Sequence, residues 1–333
     1  MKSLTQMRRS VRMGLAAIGM ALWGSLAMAQ AYPSKPIKII VPYPPGNASD
    51  VAARILGEEL SRRVGQAVVV ENKPGATGAV GAVFVAKSPP DGHTLLMTST
   101  SFAISTALVA NLPYNINTDF EPVLHVGGSG GMVLVVHPNF PANNLQQLVS
   151  LIKSNPGKYN YAHVGRGTIQ HLTMEIFLSM IGAQVEAVPY KGSVQAITDI
   201  IGGQIPMMFD SPSSAATFID GGKLKALTSA ADGRSTRLPQ VPSVTESGIA
   251  ALDNFRVGGW VGLLAPAKTP KPIVKMLNEE LLKIMQNPDI KKRLLTGGLE
   301  AMGEHPPEKF GEFLRADMAR WQAAATAAKI PKE

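Results

Sequence analysis

Ser129 lies in Gly127-Gly128-Ser129-Gly130-Gly131, a run that fits the G-x-S-x-G pattern of a hydrolase nucleophile. That chemistry needs a strand before the serine and a helix after it, so that the hydroxyl stands out on a sharp turn. Here Met132-Val133-Leu134-Val135-Val136 follows, which is strand-like, and the glycines read instead as a flexible link near a hinge. His171 and Glu175 are one helical turn apart and would offer a metal two ligands, but no third comes from nearby sequence. A helix face packed beside a cleft accounts for both. Gly165-Arg166-Gly167 opens like a dinucleotide fingerprint, yet Gln170 stands where the third glycine belongs. With no cysteine in the chain, there is no thiol nucleophile, disulfide or thiolate zinc site.

The residue types favour another kind of chemistry, the holding of an anion by neutral dipoles. Val41-Pro42-Tyr43-Pro44-Pro45-Gly46-Asn47-Ala48-Ser49-Asp50 leads from an apolar strand, through a Pro/Gly turn, onto a helix expected to start near Ser49 or Asp50. Such a junction aims unpaired backbone N–H groups and the positive end of a helix dipole at one point. Gly165-Arg166-Gly167-Thr168 repeats the arrangement, and Ser99-Thr100-Ser101 is a third candidate. Three loops of this type suggest a carboxylate pocket.

Individual residues in and near these loops carry two readings each. The Thr168 hydroxyl either caps the helix after it or faces the ligand. Arg166 either pairs with the second carboxylate of a diacid or is solvated. Asp210 ends an apolar strand and belongs at the carboxyl edge of a sheet, where open α/β sheets bind ligands. It either anchors a loop or meets the ligand through water. Asp50 is placed to cap its helix and to pair with Arg54 at i,i+4.

The elements that must position these loops alternate along the chain. Strands are expected over 37–41, 68–71, 94–98, 123–126, 132–136, 159–163, 186–189, 205–209, 224–230 and within 255–264. Helices are expected over 50–64, 79–86, 145–154, 169–181, 194–201, 272–285, 288–296 and 307–329, the last three led by proline. This α/β alternation predicts a largely parallel sheet with helices on both faces. Two units of roughly 100 to 120 residues fit the length better than one. The chain is expected to build a first lobe from 33–133 and 255–333 and a second from 134–254. Its two crossovers, near 132–136 and 255–264, would make a hinge, with a ligand cleft between the lobes.

Residues 1–29 read as a secretory signal peptide. Lys2, Arg8, Arg9 and Arg12 form a basic start, an apolar stretch runs over 13–26, and Ala27-Met28-Ala29 is a cleavage site before Gln30. Arg8-Arg9 hints at twin-arginine export, but Arg12 interrupts the apolar positions that should follow. Taking those four basic residues away lowers the net charge from +8 to +4. Charges that mild and scattered argue against nucleic acid. The absence of cysteine excludes a bacterial lipid anchor, so a soluble periplasmic protein is expected.

Longer motifs carry a family resemblance. They are Tyr32-Pro33-Ser34-Lys35-Pro36-Ile37 through Val41-Pro42-Tyr43-Pro44-Pro45-Gly46, Glu71-Asn72-Lys73-Pro74-Gly75-Ala76, and Pro90-Asp91-Gly92-His93-Thr94-Leu95-Leu96. Gly165-Arg166-Gly167-Thr168 with His171-Leu172, Val188-Pro189-Tyr190-Lys191-Gly192, and Leu238-Pro239-Gln240-Val241-Pro242 follow. In this order they resemble the Bug or TctC-like periplasmic solute receptors of tripartite tricarboxylate transporters, over nearly the whole chain after the leader.

The resemblance implies a two-lobe, type II periplasmic-binding-protein fold, with no enzymatic activity, cofactor or metal. It implies a monomer that takes a small carboxylate to a large and a small integral membrane subunit. Transferred onto this chain, the first carboxylate cradle is Tyr43, Pro44, Pro45, Gly46, Asn47, Ser49 and Asp50. The facing loop is Gly165, Arg166, Gly167 and Thr168, and Ser101, Phe102 and Asp210 are further walls. Asn47 replaces a glycine usual in the family, and as a residue tolerant of positive φ it would keep the turn while bringing its amide to the pocket mouth. Phe102 replaces a commoner polar residue and would favour an aromatic or apolar-bodied acid. The readings left beside this one are a sensory receptor and an exported hydrolase using Ser129.

Overall fold

The computed structural model describes residues 32–332 apart from 232, 304–305 and 328–329. The expected signal peptide, 1–29, lies outside the described residues. The chain runs β1 (Ile37–Val41), α1 (Ala48–Val64), β2 (Val68–Asn72), α2 (Ala79–Ala86), β3 (Thr94–Ser99), α3 (Thr100–Leu108), α4 (Ile116–Asp119) and β4 (Phe120–Gly131). It continues through β5 (Val133–Val136), α5 (Leu145–Ser154), β6 (Asn160–His163), α6 (Ile169–Ile181), β7 (Glu186–Pro189), α7 (Ser193–Ile201), β8 (Met207–Asp210), α8 (Pro212–Asp220) and β9 (Lys225–Ser229). The last part is β10 (Gly258–Pro266), α9 (Lys271–Gln286), α10 (Pro288–Thr296), β11 (Glu300–Ala301) and α11 (Pro307–Ala327).

Ile37, Ile39, Ile40 and Val41 are fully buried while Lys38 is exposed, as suits a strand covered on both faces. A six-stranded sheet has the order β11-β4-β10-β3-β1-β2, and a three-stranded sheet the order β8-β5-β9. β6 and β7 form a parallel pair. The sheets are mixed rather than largely parallel. β1 is parallel to β2 and β3, but β10 is antiparallel to both β3 and β4, and β5 to both β8 and β9. Long-range pairing set these directions, and βα alternation along the chain does not encode it. The helix α8 was also absent from the sequence pattern; Pro212 at its first turn and Ser211 as its N-cap begin it.

Gly127 to Gly131 is not a flexible link. It is the continuation of β4, paired with β10 and β11, and the chain passes through Met132 into β5. The strand–turn–helix context that a nucleophile at Ser129 needs is therefore missing. The glycines permit close backbone contact: a Cβ on Gly127 would lie 2.3 Å from the Glu300 carbonyl oxygen, and one on Gly258 would lie 2.6 Å from that of Gly130. Three backbone segments meet here, with Met132 N–H donating to the Val257 carbonyl (2.8 Å), Val257 N–H to Ala230 (2.7 Å) and Ala230 N–H to Met132 (2.8 Å).

The C-terminal helix α11 packs along α3 and β4 and also touches α6. Its Asp317, buried at 3 % exposure, accepts from the indole nitrogens of Trp260 (2.7 Å) and Trp321 (3.0 Å) and pairs with Arg320. Asp317→Asn exchanges a charged acceptor for a neutral one and, with its oxygen kept toward the two indoles, turns an NH2 toward Arg320. It is expected to cost about 1–2 kcal/mol, read as a lower urea midpoint at unchanged slope.

Candidate functional site

The first loop is built by side chains turned inward. Gly46 supplies the positive φ (+89°) of the turn, with open space where its Cβ would be. Asn47 does not take that role. It is extended (φ −78°, ψ 169°) and is the N-cap of α1, its Oδ1 accepting from Ser49 N–H (2.9 Å) and Asp50 N–H (3.1 Å). Its Nδ2 donates to the Pro44 carbonyl (2.6 Å), so the amide is spent on the loop itself. Asp50 is buried and is not the cap. Its carboxylate accepts from Gly46 N–H (2.9 Å), from Arg54 through two nitrogens (2.9 and 3.1 Å) and from Asn72 Nδ2 (2.9 Å). Burial alone would raise the Asp50 pKa; the hydrogen bonds from Arg54, Gly46 and Asn72, with the Arg54 charge, outweigh it and hold the carboxyl below its ordinary range. Asn72 Nδ2 also reaches the Tyr43 carbonyl at 3.1 Å.

The amides at Gly46, Ser49 and Asp50 are thus already paired within the protein. Pro44 and Pro45 are exposed and have no N–H to give. Tyr43 extends the loop toward the junction of β3 and α3, its phenol 3.1 Å from Thr98 Oγ1. Burial raises its pKa, against hydrogen bonds with Ser99, Thr98 and Ser101 that lower it. Ser101 therefore does meet Tyr43. Phe102, its neighbour, turns the other way: its ring is 2 % exposed and packs against Tyr114 (centroids 5.4 Å, stacked) and Phe120 (5.2 Å, edge-on) in the core. An aromatic wall from this side chain is not what the fold presents, because an apolar ring in the first turn of α3 gains more from the core.

The second loop follows the same logic with different residues. Gly165 N–H donates to His163 Nδ1 and Gly167 N–H to His171 Nδ1, each at 3.1 Å. Thr168 does not cap the helix that follows it. α6 has no side-chain cap, and the Thr168 hydroxyl donates to the Gly165 carbonyl at 2.7 Å. Arg166 is exposed at the loop tip. His171 and Glu175 face separate partners, since Glu175 accepts from Tyr161 at 2.5 Å. Among the described residues, no group of three or more His, Asp or Glu is placed to hold a metal ion.

Asp210, fully buried at the end of β8, sits among neutral donors. Its Oδ1 accepts from Ser211 N–H (2.8 Å), Ser193 Oγ (2.9 Å) and, weakly, Gln170 Nε2 (3.4 Å). Oδ2 is buried with no hydrogen-bond partner among the described residues. Burial pushes its pKa up, against the hydrogen bonds of Ser211, Ser193 and Gln170.

The helix α3 links the two loops. Ser101 at its start meets Tyr43, and Leu108 at its end abuts Gly167, where a Cβ would fall 2.5 Å from Leu108 Cδ1. Seven residues of helical rise separate these ends by about 10 Å. The second loop continues into α6, whose Gln170 reaches Asp210. Neither α3 nor α6 has a capping side chain, so first-turn N–H groups of these helices, rather than the glycine amides, are the neutral donors left at the site. Asn72, Ser193, Gln170 and His163 are site-building residues that the sequence did not single out. Only Asn72 gave any signal, as a turn-forming residue at the end of an apolar strand.

Mixed sheets covered by helices and linked through β4, β5 and β10, with helix starts and strand ends turned to shared loops, define the type II periplasmic-binding-protein class. A profile of the tripartite tricarboxylate transporter family receptor (TctC) matches residues 52–328. The chain is 36% identical over 311 residues, 92% of its length and 91% of the relative's, to a UPF0065 protein from the tcbD-tcbE intergenic region of Pseudomonas sp. (strain P51). It matches the periplasmic binding protein BugD with a TM-score of 0.73 at 32% identity, over 91% of this chain and 100% of that one. MatC from Rhodopseudomonas palustris, solved with bound malate, matches with a TM-score of 0.71 at 30% identity, over 88% and 99%. Another R. palustris protein, solved with adipate, matches with 0.76 at 27% identity, over 91% and 100%. The chain belongs to the TctC family of tripartite tricarboxylate transporter receptors. It is a periplasmic solute-binding receptor and not an enzyme.

Proposed function

We propose that this receptor captures a short dicarboxylate between the loop at 43–50, with the start of α3, and the loop at 165–168, with the start of α6. The observation that carries the reading is the pair of helix starts without a capping side chain beside loops whose glycine amides are internally paired. Neutral dipoles bind an anion without a buried counter-charge whose desolvation would offset the gain. Relatives of the same fold solved with malate and adipate support two carboxylates in the ligand. Arg166, exposed on the second loop, is the cation suited to the outer one. The buried Asp210 Oδ2 is an acceptor suited to a hydroxyl on the ligand or to a water bound to it.

The lobes of this reading are 33–133 with 255–333, and 134–254, turning about the segments at 130–132 and 257–258. Closure delivers the loaded form to a large and a small integral membrane subunit. The receptor works as a free monomer after removal of residues 1–29. Calorimetry and thermal melts of the purified protein with malate, adipate, citrate, benzoate and aspartate test the ligand class. Micromolar or tighter binding of a four- to six-carbon diacid, with a ligand-dependent rise in melting temperature and no turnover, is the expected result. Binding confined to monoacids or to amino acids would refute it.

A further inference from the structure

Two buried imidazoles stand directly behind the second loop. His163 ends β6 and His171 lies in the first turn of α6, exposed at 4 % and 8 %. Their ring centroids are 4.5 Å apart. Each gives one nitrogen to the loop: His163 Nδ1 accepts the Gly165 N–H, and His171 Nδ1 accepts the Gly167 N–H. Both glycines have positive φ, +132° and +76°, which is what turns their amides back toward the rings. The Thr168 hydroxyl closes the loop onto Gly165. An imidazole accepts at Nδ1 only when its proton is on Nε2, so both rings must be the neutral Nε2–H tautomer.

We infer that His163 and His171 are paired positioning residues whose Nδ1 lone pairs hold the Gly165 and Gly167 amides inward, so that the loop meets the ligand with Arg166 and the first turn of α6. The part that concerns the ligand rests on the proposed dicarboxylate reading. A packing role alone would be filled by any flat or branched apolar side chain, and would not need an acceptor at the δ position of both residues. Burial favours the neutral rings. It lowers the pKa of His163, opposed by a hydrogen bond with the Gly165 backbone and by the Glu175 charge, and that of His171, where the His163 and Arg166 charges lower it further, to about 4.

The test separates the acceptor from the ring and the loop from the ligand. Asparagine places an amide oxygen near the Nδ1 position, whereas leucine has similar bulk and no acceptor. His163→Leu and His171→Leu are expected to weaken malate and adipate binding tenfold or more, and His163→Asn and His171→Asn to stay within about threefold of wild type. Imidazole 15N NMR of the unliganded wild-type protein is expected to show both rings protonated on Nε2 alone, with slow exchange of the Gly165 and Gly167 amides. Leu and Asn variants that bind equally, whether well or badly, would overturn the inference. So would a proton on Nδ1 of either ring, a result that needs no ligand and no variant that folds. If wild-type protein binds no diacid while both rings show the Nε2–H tautomer, the dicarboxylate reading fails and the loop assignment stands.

Discussion

Gly131→Val is expected to give a protein that does not fold stably at 37 °C. Gly131 is where the chain leaves the six-stranded sheet for the three-stranded one, and its restraint is not a matter of φ. A Cβ there would lie 2.4 Å from the Ala231 nitrogen and 2.5 Å from the Ala230 carbonyl carbon. Those are backbone atoms with little freedom to retreat, because Ala230 bonds to Met132 and receives the Val257 N–H while Met132 bonds to Val257. Moving the Ala230 segment outward breaks its two hydrogen bonds, to Met132 and from Val257, at about 1 kcal/mol each, and overpacking adds about 1–3 kcal/mol. The resulting loss of about 3–5 kcal/mol is comparable with the whole stability of many domains. Gly46→Ala is the control, since its Cβ meets nothing within 4 Å and its cost is confined to positive φ, about 1–2 kcal/mol. Denaturant unfolding of both variants checks the contrast. A Gly131→Val protein as stable as Gly46→Ala would contradict the close approach of the three segments.

Asp50→Ala carries the second large effect. It removes the acceptor for Gly46 N–H, for Asn72 and for both Arg54 nitrogens at once. Because Arg54 is half exposed, the pair is worth less than a fully buried one. Unpaired Gly46 and Asn72 donors bring the expected cost to about 2–4 kcal/mol. The first loop should lose its shape, and diacid affinity should fall tenfold or more. The pH dependence has a definite sign. The Asp50 pKa is lower in the folded protein than the ordinary aspartate value. Its stabilisation is therefore present above about pH 4 and is lost as pH falls through the folded value. The stability gap between wild type and variant should thus be full at pH 7 and shrink below pH 4. A gap that stays constant down to pH 3 would show that the ionised carboxylate is not what holds the loop.

Much of the site's outline was legible in the sequence. The strand–turn–helix junctions at 41–50 and 165–168 and the proline-led starts of α9, α10 and α11 are local features, set by residues within a few positions of one another. The internal wiring of the loops was not. Asn47 caps α1 and Asp50 reaches back to Gly46, although either residue fits an N-cap by type alone. Thr168 sits at a helix start and still spends its hydroxyl on Gly165, because the positive-φ glycines before it bring that carbonyl within reach. Phe102 follows the polar run Ser99-Thr100-Ser101 in the sequence, yet its ring turns into the core, since the face of α3 it occupies is fixed by packing on Tyr114 and Phe120.

By itself, the sequence determined most of the order of elements, the positions of the strand–turn–helix junctions and the absence of thiol chemistry, since each depends on short-range spacing or on composition. Tertiary structure decided the antiparallel course of β4, β5 and β10, the extension of β4 through Gly127–Gly131 and the pairing of the loop amides with Asp50, His163 and His171. Strand direction and backbone approach depend on partners far along the chain, and whether an amide is left for a ligand depends on which side chain reaches it first.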